Sequence, residues 1–138
     1  MRIMSLDVGE KNIGVAVSDE LGITAQGLGV IKRQNKKKDL SEIRRLIEEH
    51  NVNEVVLGFP RNMDGSIGSK AQEILHFQEL LSKSVSVPVL TWDERLTTVA
   101  ANRTLLQADV SRKKRKKVID KLAAVLILEG YLQKKKRE

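Results

Sequence analysis

Three acids, Asp7, Glu94 and Asp120, sit in surroundings that ask more of a carboxylate than solvation does. Asp7 ends an apolar run in which Ile3, Met4 and Leu6 mark a buried strand, so its charge arrives at the rim of a sheet and needs a partner. A turn acid bonding the amides around Gly9 would account for the same segment. Glu94 follows Thr91-Trp92-Asp93 at the carboxyl end of a strand, where open α/β sheets place ligands. Asp93 is its rival at this point, and either acid could instead pair with Arg95 on the surface. Asp120 belongs to a helical stretch, Val118 to Leu128, in which its neighbours are Ala123, Ala124 and Ile127. A carboxylate against small apolar side chains pays desolvation unless a cation or donor compensates, whereas an acid at a helix start would answer the macrodipole.

Three carboxylates brought together repel, and without a cation at least one should hold its proton. Magnesium or manganese resolves that conflict, because hard divalent ions take oxygen ligands. Two such ions about 3.5–4 Å apart can activate an attacking water and stabilise the leaving oxygen in phosphodiester hydrolysis. No serine, cysteine or histidine nucleophile is then required. The chain has no cysteine, and its two histidines, His50 and His76, are far apart in sequence, so neither a disulfide nor a zinc site is expected.

The charge of +7 is concentrated. Lys32 to Lys38 holds five basic residues, Arg112 to Lys117 six and Lys134 to Arg137 four, which is 15 of the 25. Outside those runs ten basic residues face 18 acidic ones. Clustered Lys and Arg are what a phosphate backbone requires, since each neutralised phosphate releases condensed counterions. Arg112, Lys113, Lys114, Arg115, Lys116 and Lys117 end three residues before Asp120, and a basic loop there would clamp a substrate beside the acids; solvated like-charge runs are the plainer account. With four aromatic residues in all, a base-stacking platform is not expected, and recognition should proceed through backbone and shape.

The elements that would carry these residues can be read from the pattern. Arg2 to Asp7 and Asn12 to Ser18 form an antiparallel pair around a turn at 8–11, and a third strand covers Gly22 to Ile31. A helix capped by Asp39 or Ser41 runs to about His50, with Leu40, Ile43, Leu46 and Ile47 on one face. Glu54 to Gly58 is a strand, followed by the turn-rich Pro60 to Ser66, whose Asp-Gly turn leads to a serine cap or aims amides at a phosphate. Then come a helix over Ser69 to Ser82 with Ala71, Ile74, Leu75 and Leu81 inward, a strand over Val87 to Thr91, and helices over Thr97 to Gln107 and Lys117 to Lys134. This order predicts one α/β domain over residues 1–138: a mixed five-stranded sheet, antiparallel in its first three strands and parallel thereafter, flanked by helices.

Four groups of residues carry a resemblance along the whole chain. They are Asp7-Val8-Gly9 with Lys11, Ile13-Gly14-Val15-Ala16 and Ser18-Asp19; Gly58-Phe59-Pro60 with Asp64-Gly65-Ser66; Asp93 to Thr98; and Asp120 with Leu122-Ala123-Ala124 and Leu126-Ile127-Leu128. In that order they are similar to the YqgF family, also called RuvX, of ribonuclease H-like nucleases. The resemblance implies a ribonuclease H-like fold, a cytoplasmic location and a metal-dependent role in maturing the 5′ end of pre-16S ribosomal RNA. It implies catalytic, metal-binding roles for Asp7, Glu94 and Asp120, which decides for Glu94 over Asp93. Arg95 could orient Glu94 or hold a phosphate bidentately, and Lys11 is a further candidate for contact with nucleic acid. Asn12 departs from the family pattern, which carries arginine there, and this removes one candidate phosphate contact at the first hairpin.

The expected partners are structured RNA such as pre-rRNA, or branched DNA, and ribosomal precursor particles, with the chain acting as a monomer or weak homodimer. A Holliday-junction resolvase would use the same fold and basic surface, and a non-catalytic nucleic-acid-binding assembly factor would keep the acids without the reaction. The longest apolar run, Leu122 to Leu128, is far short of the roughly 20 residues that span a bilayer, so no membrane role is expected.

Overall fold

The structure, a computed structural model, describes residues 1–62, 64–94 and 112–137, the last stretch without side chains before Ile119. Strands β1 (Ile3–Val8), β2 (Asn12–Ser18) and β3 (Ala25–Lys32) are followed by helix α1 (Lys36–Glu49), strand β4 (Glu54–Phe59), helix α2 (Ser69–Ser84), strand β5 (Val89–Asp93) and helix α3 (Arg112–Arg137). The sheet order is β3-β2-β1-β4-β5. β1 pairs antiparallel with β2 and β2 with β3, while β4 adds parallel to β1 and β5 parallel to β4, as the sequence predicts.

The central strands explain themselves. β1 and β4 are covered on both faces, so their sequences read as nearly unbroken apolar runs. Alternation sends Met4, Leu6 and Val8 into one core with Ile43 and Ile47 of α1 and Ala71, Ile74, Phe77 and Leu81 of α2. The other face of the sheet gives Ile3, Ala16, Val56 and Trp92 to a second core with Ala123, Ala124, Ile127, Leu128 and Tyr131 of α3. Leu75, expected inward, is 40% exposed: it sits at the edge of the α2 stripe, and Phe77 fills the place instead.

Two helix starts differ from expectation. α1 begins at Lys36, capped by Asn35, whose side-chain oxygen accepts from the Lys38 amide at 2.9 Å. Asp39 is therefore free of capping and turns inward, 3% exposed, where its carboxylate accepts from the Gln34 amide at 3.0 Å and from Arg33 Nε at 3.3 Å. The Arg33 guanidinium also donates to the Gly9 carbonyl at 2.8 Å and lies 5.7 Å from the Phe77 ring centre, so one side chain ties the first turn to both helices. α3 begins at Arg112, not Lys117, so the six-residue basic run is helix rather than loop. Lys and Arg are good helix formers, and no glycine or proline interrupts them. The helix expected over Thr97 to Gln107 lies outside the described residues.

Smaller differences follow local bonding. β3 begins at Ala25, so Gly22 to Thr24 precede it, after a turn at Glu20 and Leu21; the segment is held by Asp19, whose Oδ1 accepts from the Ile23 amide at 2.7 Å and the Thr24 amide at 3.2 Å. These amides, Ile23 first, hold the Asp19 carboxyl below its ordinary value. Ser66 does not cap α2. Its hydroxyl and amide bond Asp64 Oδ1, and Gly68 takes the cap position without a side-chain bond.

The backbone of α3 comes down onto the sheet at Gly14. A Cβ built on Gly14 would stand 1.9 Å from the Asp120 carbonyl oxygen, so only glycine lets the helix backbone settle on β2. Ser5 Oγ donates to the Ala124 carbonyl at 2.6 Å one turn further along. At the far end the Tyr131 hydroxyl donates to Glu54, Lys135 pairs with Glu54 at 3.5 Å, and Tyr131 meets Trp92 edge-to-face with ring centres 6.0 Å apart. A Cβ on Gly27 would meet only the Lys121 side chain, 2.5 Å from its Cε.

Two predictions follow, both readable by urea unfolding. Asp39→Ala strands the half-buried Arg33 and should cost about 2–3 kcal/mol. Gly14→Ala should cost on the order of 2–3 kcal/mol because helix backbone must move. Gly27→Ala, which displaces the Lys121 side chain but no backbone, should cost less, about 1 kcal/mol or under. Equal losses at the two glycines would contradict the docking described here.

Candidate active site

Asp7 is the last but one residue of β1 and is 8% exposed. Alternation with Ile3 and Ser5 turns it towards α3. Across the antiparallel ladder it stands opposite Gly14 of β2. On the other flank Leu6 pairs with Leu57, and the next step of that register brings Gly58 of β4 alongside. Asp7 thus projects between two glycines, at strand spacings of about 4.8 Å.

The Asp120 backbone covers one gap, and Ile127 with Glu94 covers the other. Asp120 sits over Gly14, its own backbone in contact with the site a Cβ would take. Glu94 sits over Gly58, whose Cβ would lie 3.4 Å from the Glu94 carboxyl carbon and Oε1, with Ile127 Cδ1 closing the rest at 2.5 Å. Glu94 Oε1 and Asp120 Oδ2 are shielded from solvent. Three carboxylates from β1, the end of β5 and α3 therefore share one face of the sheet at the carboxyl ends of its parallel strands. Among the described residues no three His, Cys, Asp or Glu side chains stand close enough together to hold a metal ion.

The choice between Asp93 and Glu94 becomes a matter of phase. Trp92 packs in the α3 core, so Asp93, next along the strand, projects to the opposite side, and Glu94 returns to the α3 face. Asp120 lies more than two turns inside α3, which removes the account of it as a helix-start acid. Lys11 is exposed in the turn between β1 and β2, where the Gly9 amide donates to the Asn12 carbonyl at 2.9 Å. The backbone of Arg112 to Lys117 forms the first turns of α3, leading directly into Asp120. Arg95 lies outside the described residues. His50 is the C-cap of α1 and His76 is exposed on α2, neither near the acids in the fold.

A cleft of about 980 Å³ opens on the other face of the sheet, between α1, α2 and the first turn, and Arg33, Asp39 and Phe77 line it while the three acids do not. What the sequence reading missed were the glycines. Gly14 and Gly58 interrupt strands of Val, Ala and Leu, and a glycine inside a strand marks close approach of another chain segment.

Comparison with known proteins bears on the family and the fold. Two relatives carry the name "Putative pre-16S rRNA nuclease". One, from Clostridioides difficile (strain 630), is 58% identical over 131 residues, 95% of this chain and 93% of its own. The other, from Carboxydothermus hydrogenoformans, is 56% identical over 137 residues, 99% of each. Among solved structures, T. thermophilus RuvC in complex with Holliday junction substrate superposes with a TM-score of 0.60 at 14% identity, over 98% of this chain and 96% of that one. The fowlpox virus Holliday junction resolvase does so at 0.54 with 19% identity, over 97% and 99%. At such identities the superpositions speak for the fold, which is the ribonuclease H-like fold of RuvC-type resolvases. The RuvX family, described as Holliday junction resolvase, matches residues 1–134, and with relatives more than half identical along almost the whole chain, this protein belongs to the RuvX family.

Proposed function

We propose that this chain is a divalent-metal-dependent nuclease that hydrolyses phosphodiester bonds in structured RNA, with 5′-end maturation of pre-16S ribosomal RNA in the cytoplasm as its task. The observation that supports this reading is that Asp7 stands beside Gly14, over which the Asp120 backbone lies, while Glu94 lies over Gly58, all on the α3 face of the sheet. The pre-16S substrate is supported by the names of the relatives. Among the described residues no helix is long and apolar enough to cross a membrane.

The donor set fits Mg2+ or Mn2+: oxygen ligands only, two of them withdrawn from water, on carboxylates carried by β1, the end of β5 and α3. Held by these residues, such an ion would make a water easier to deprotonate, and so nucleophilic towards phosphorus, and would stabilise charge on the leaving oxygen. The protein's own contribution is placement. Asp7 is fixed by the strand ladder, and Asp120 by the glycine-seated helix, so neither has to search for its position when substrate arrives. Lys11, Arg95 and the basic residues 112–117 supply the positive charge that holds the backbone, and their spread along the chain suits a structured rather than a small substrate. The whole of residues 1–138 acts as one nuclease domain, as a monomer or weak homodimer, and ribosomal precursor particles are its natural partners.

A second reading is favoured by the description of the family and by the solved structure with junction DNA: resolution of four-way junctions. One panel separates the readings. Structured RNAs carrying an extended 16S 5′ end and four-way DNA junctions are incubated with Mg2+ or Mn2+, using native chain, Asp7→Asn and Asp120→Asn. The RNA should be cut and the junctions spared, and each variant should lose at least about a hundredfold in rate while keeping its native unfolding midpoint. Paired cuts in the junctions alone would install the resolvase reading. Tight binding without cleavage, unchanged in both variants, would leave a non-catalytic assembly factor.

A further inference from the structure

Lys121 follows Asp120, and its side chain leaves the helix away from the acids. The backbone nitrogen of Lys121 lies 3.2 Å from where a Cβ on Gly14 would be, so the residue starts directly above β2. Its Cγ, Cδ and Cε then pass within 2.9, 3.3 and 2.5 Å of the Cβ position of Gly27 on β3. Gly27 pairs with Ala16, which faces the α3 core, so the aliphatic stem is laid on the same face of the sheet that carries Asp7. Long basic side chains commonly rest their methylenes on apolar surface and hold the ammonium in water. Here the channel is specific, because any side chain at position 27 would occupy it.

The ammonium group is uncommitted within the described protein: Lys121 is exposed and makes no hydrogen bond or ion pair with a described residue. Lys32 shares the same face. It pairs with Asn12, two residues from Gly14, it is exposed, and it too makes no ion pair with a described residue. β3 is two strands from β1, which places this basic edge roughly 10 Å from Asp7 across the sheet. That is too far for the phosphate being cut and well placed for a neighbouring one on the same strand.

We infer that Lys121, seated in the channel over Gly27, is a substrate-positioning residue that contacts a backbone phosphate flanking the scissile one, with Lys32 extending the same track along β3. The inference rests on the nuclease reading above and adds the direction in which the substrate leaves the acids: towards the β3 edge. A seated stem matters because an ammonium already placed gives up less conformational freedom on binding than a free lysine does.

Full-length chain bearing Asp7→Asn, so that RNA stays intact, is titrated with a fluorescein-labelled RNA stem-loop in Mg2+ across a salt series and read by anisotropy. Lys121→Met should weaken binding about 3–10-fold and lower the slope of log K against log salt by about one, the mark of one lost phosphate contact, and Lys121→Arg should restore most of both. Gly27→Ala keeps the charge but closes the channel. It should weaken binding in the same direction, and the double variant Gly27→Ala/Lys121→Met should bind no worse than Lys121→Met alone, because both changes act through one side chain. A role confined to covering the sheet would leave the slope unchanged in Lys121→Met, and that result overturns the inference, as would losses at 27 and 121 that simply add. Failure of the unsubstituted side chains to bind any RNA or junction would instead remove the nuclease reading, and this inference with it.

Discussion

The approach of α3 to the sheet is the constraint on which the rest depends. A helix normally stands off a sheet by the length of its side chains; here, at Asp120, it rests on β2 through the missing side chain of Gly14. That contact sets how far into the face of the sheet the Asp120 carboxylate reaches, and the Ser5 to Ala124 bond and the Ala123-Ala124 pair keep the helix low as it crosses β1. Gly58 performs the matching task on the other flank, leaving room for Ile127 and Glu94. Function here follows from small residues as much as from charged ones. The acids would be ordinary if larger side chains held the layers apart.

The opposite layer supports the same point by different means. Gly9, two residues after Asp7, is fixed from behind by Arg33, which holds the Gly9 carbonyl, the buried Asp39 and the face of Phe77 together. A partly buried ion pair of this kind is a poor source of net stability, but removing one partner leaves the other stranded. Its consequence is geometric. The turn that follows Asp7 is attached to α1 and α2, and the strand end that carries the carboxylate has little freedom to drift.

Much of this was legible because the signals were local. β1 and β2 show their pairing in the alternation of Ile13, Val15 and Val17, and β4 in its unbroken apolar run, so strand order and the antiparallel-then-parallel sheet follow from pattern. Asp120 was visible as an acid among alanines. The start of α3 was misread because a run of six cations looks like loop, whereas helix propensity and the absence of a breaker let it continue the helix. The cap of α1 was misplaced because Asn35 and Asp39 are both competent caps, and only the tertiary position of Arg33 gives Asp39 a better partner. The Gly14 and Gly58 contacts join segments more than thirty residues apart, and no periodicity within either segment contains them. Trp92 is the exception. Its inward phase distinguishes Glu94 from Asp93 once it is known which face α3 covers.

The central claim is that Asp7, Glu94 and Asp120 form one cation-binding unit, and the direct test is isothermal titration of the folded chain with MnCl2 in the absence of nucleic acid. The account predicts saturable uptake that is lost or weakened at least tenfold in Asp7→Asn and in Asp120→Asn, with no further loss when the two are combined. Uptake of equal affinity in the native chain and both variants, or no uptake at all, would contradict it.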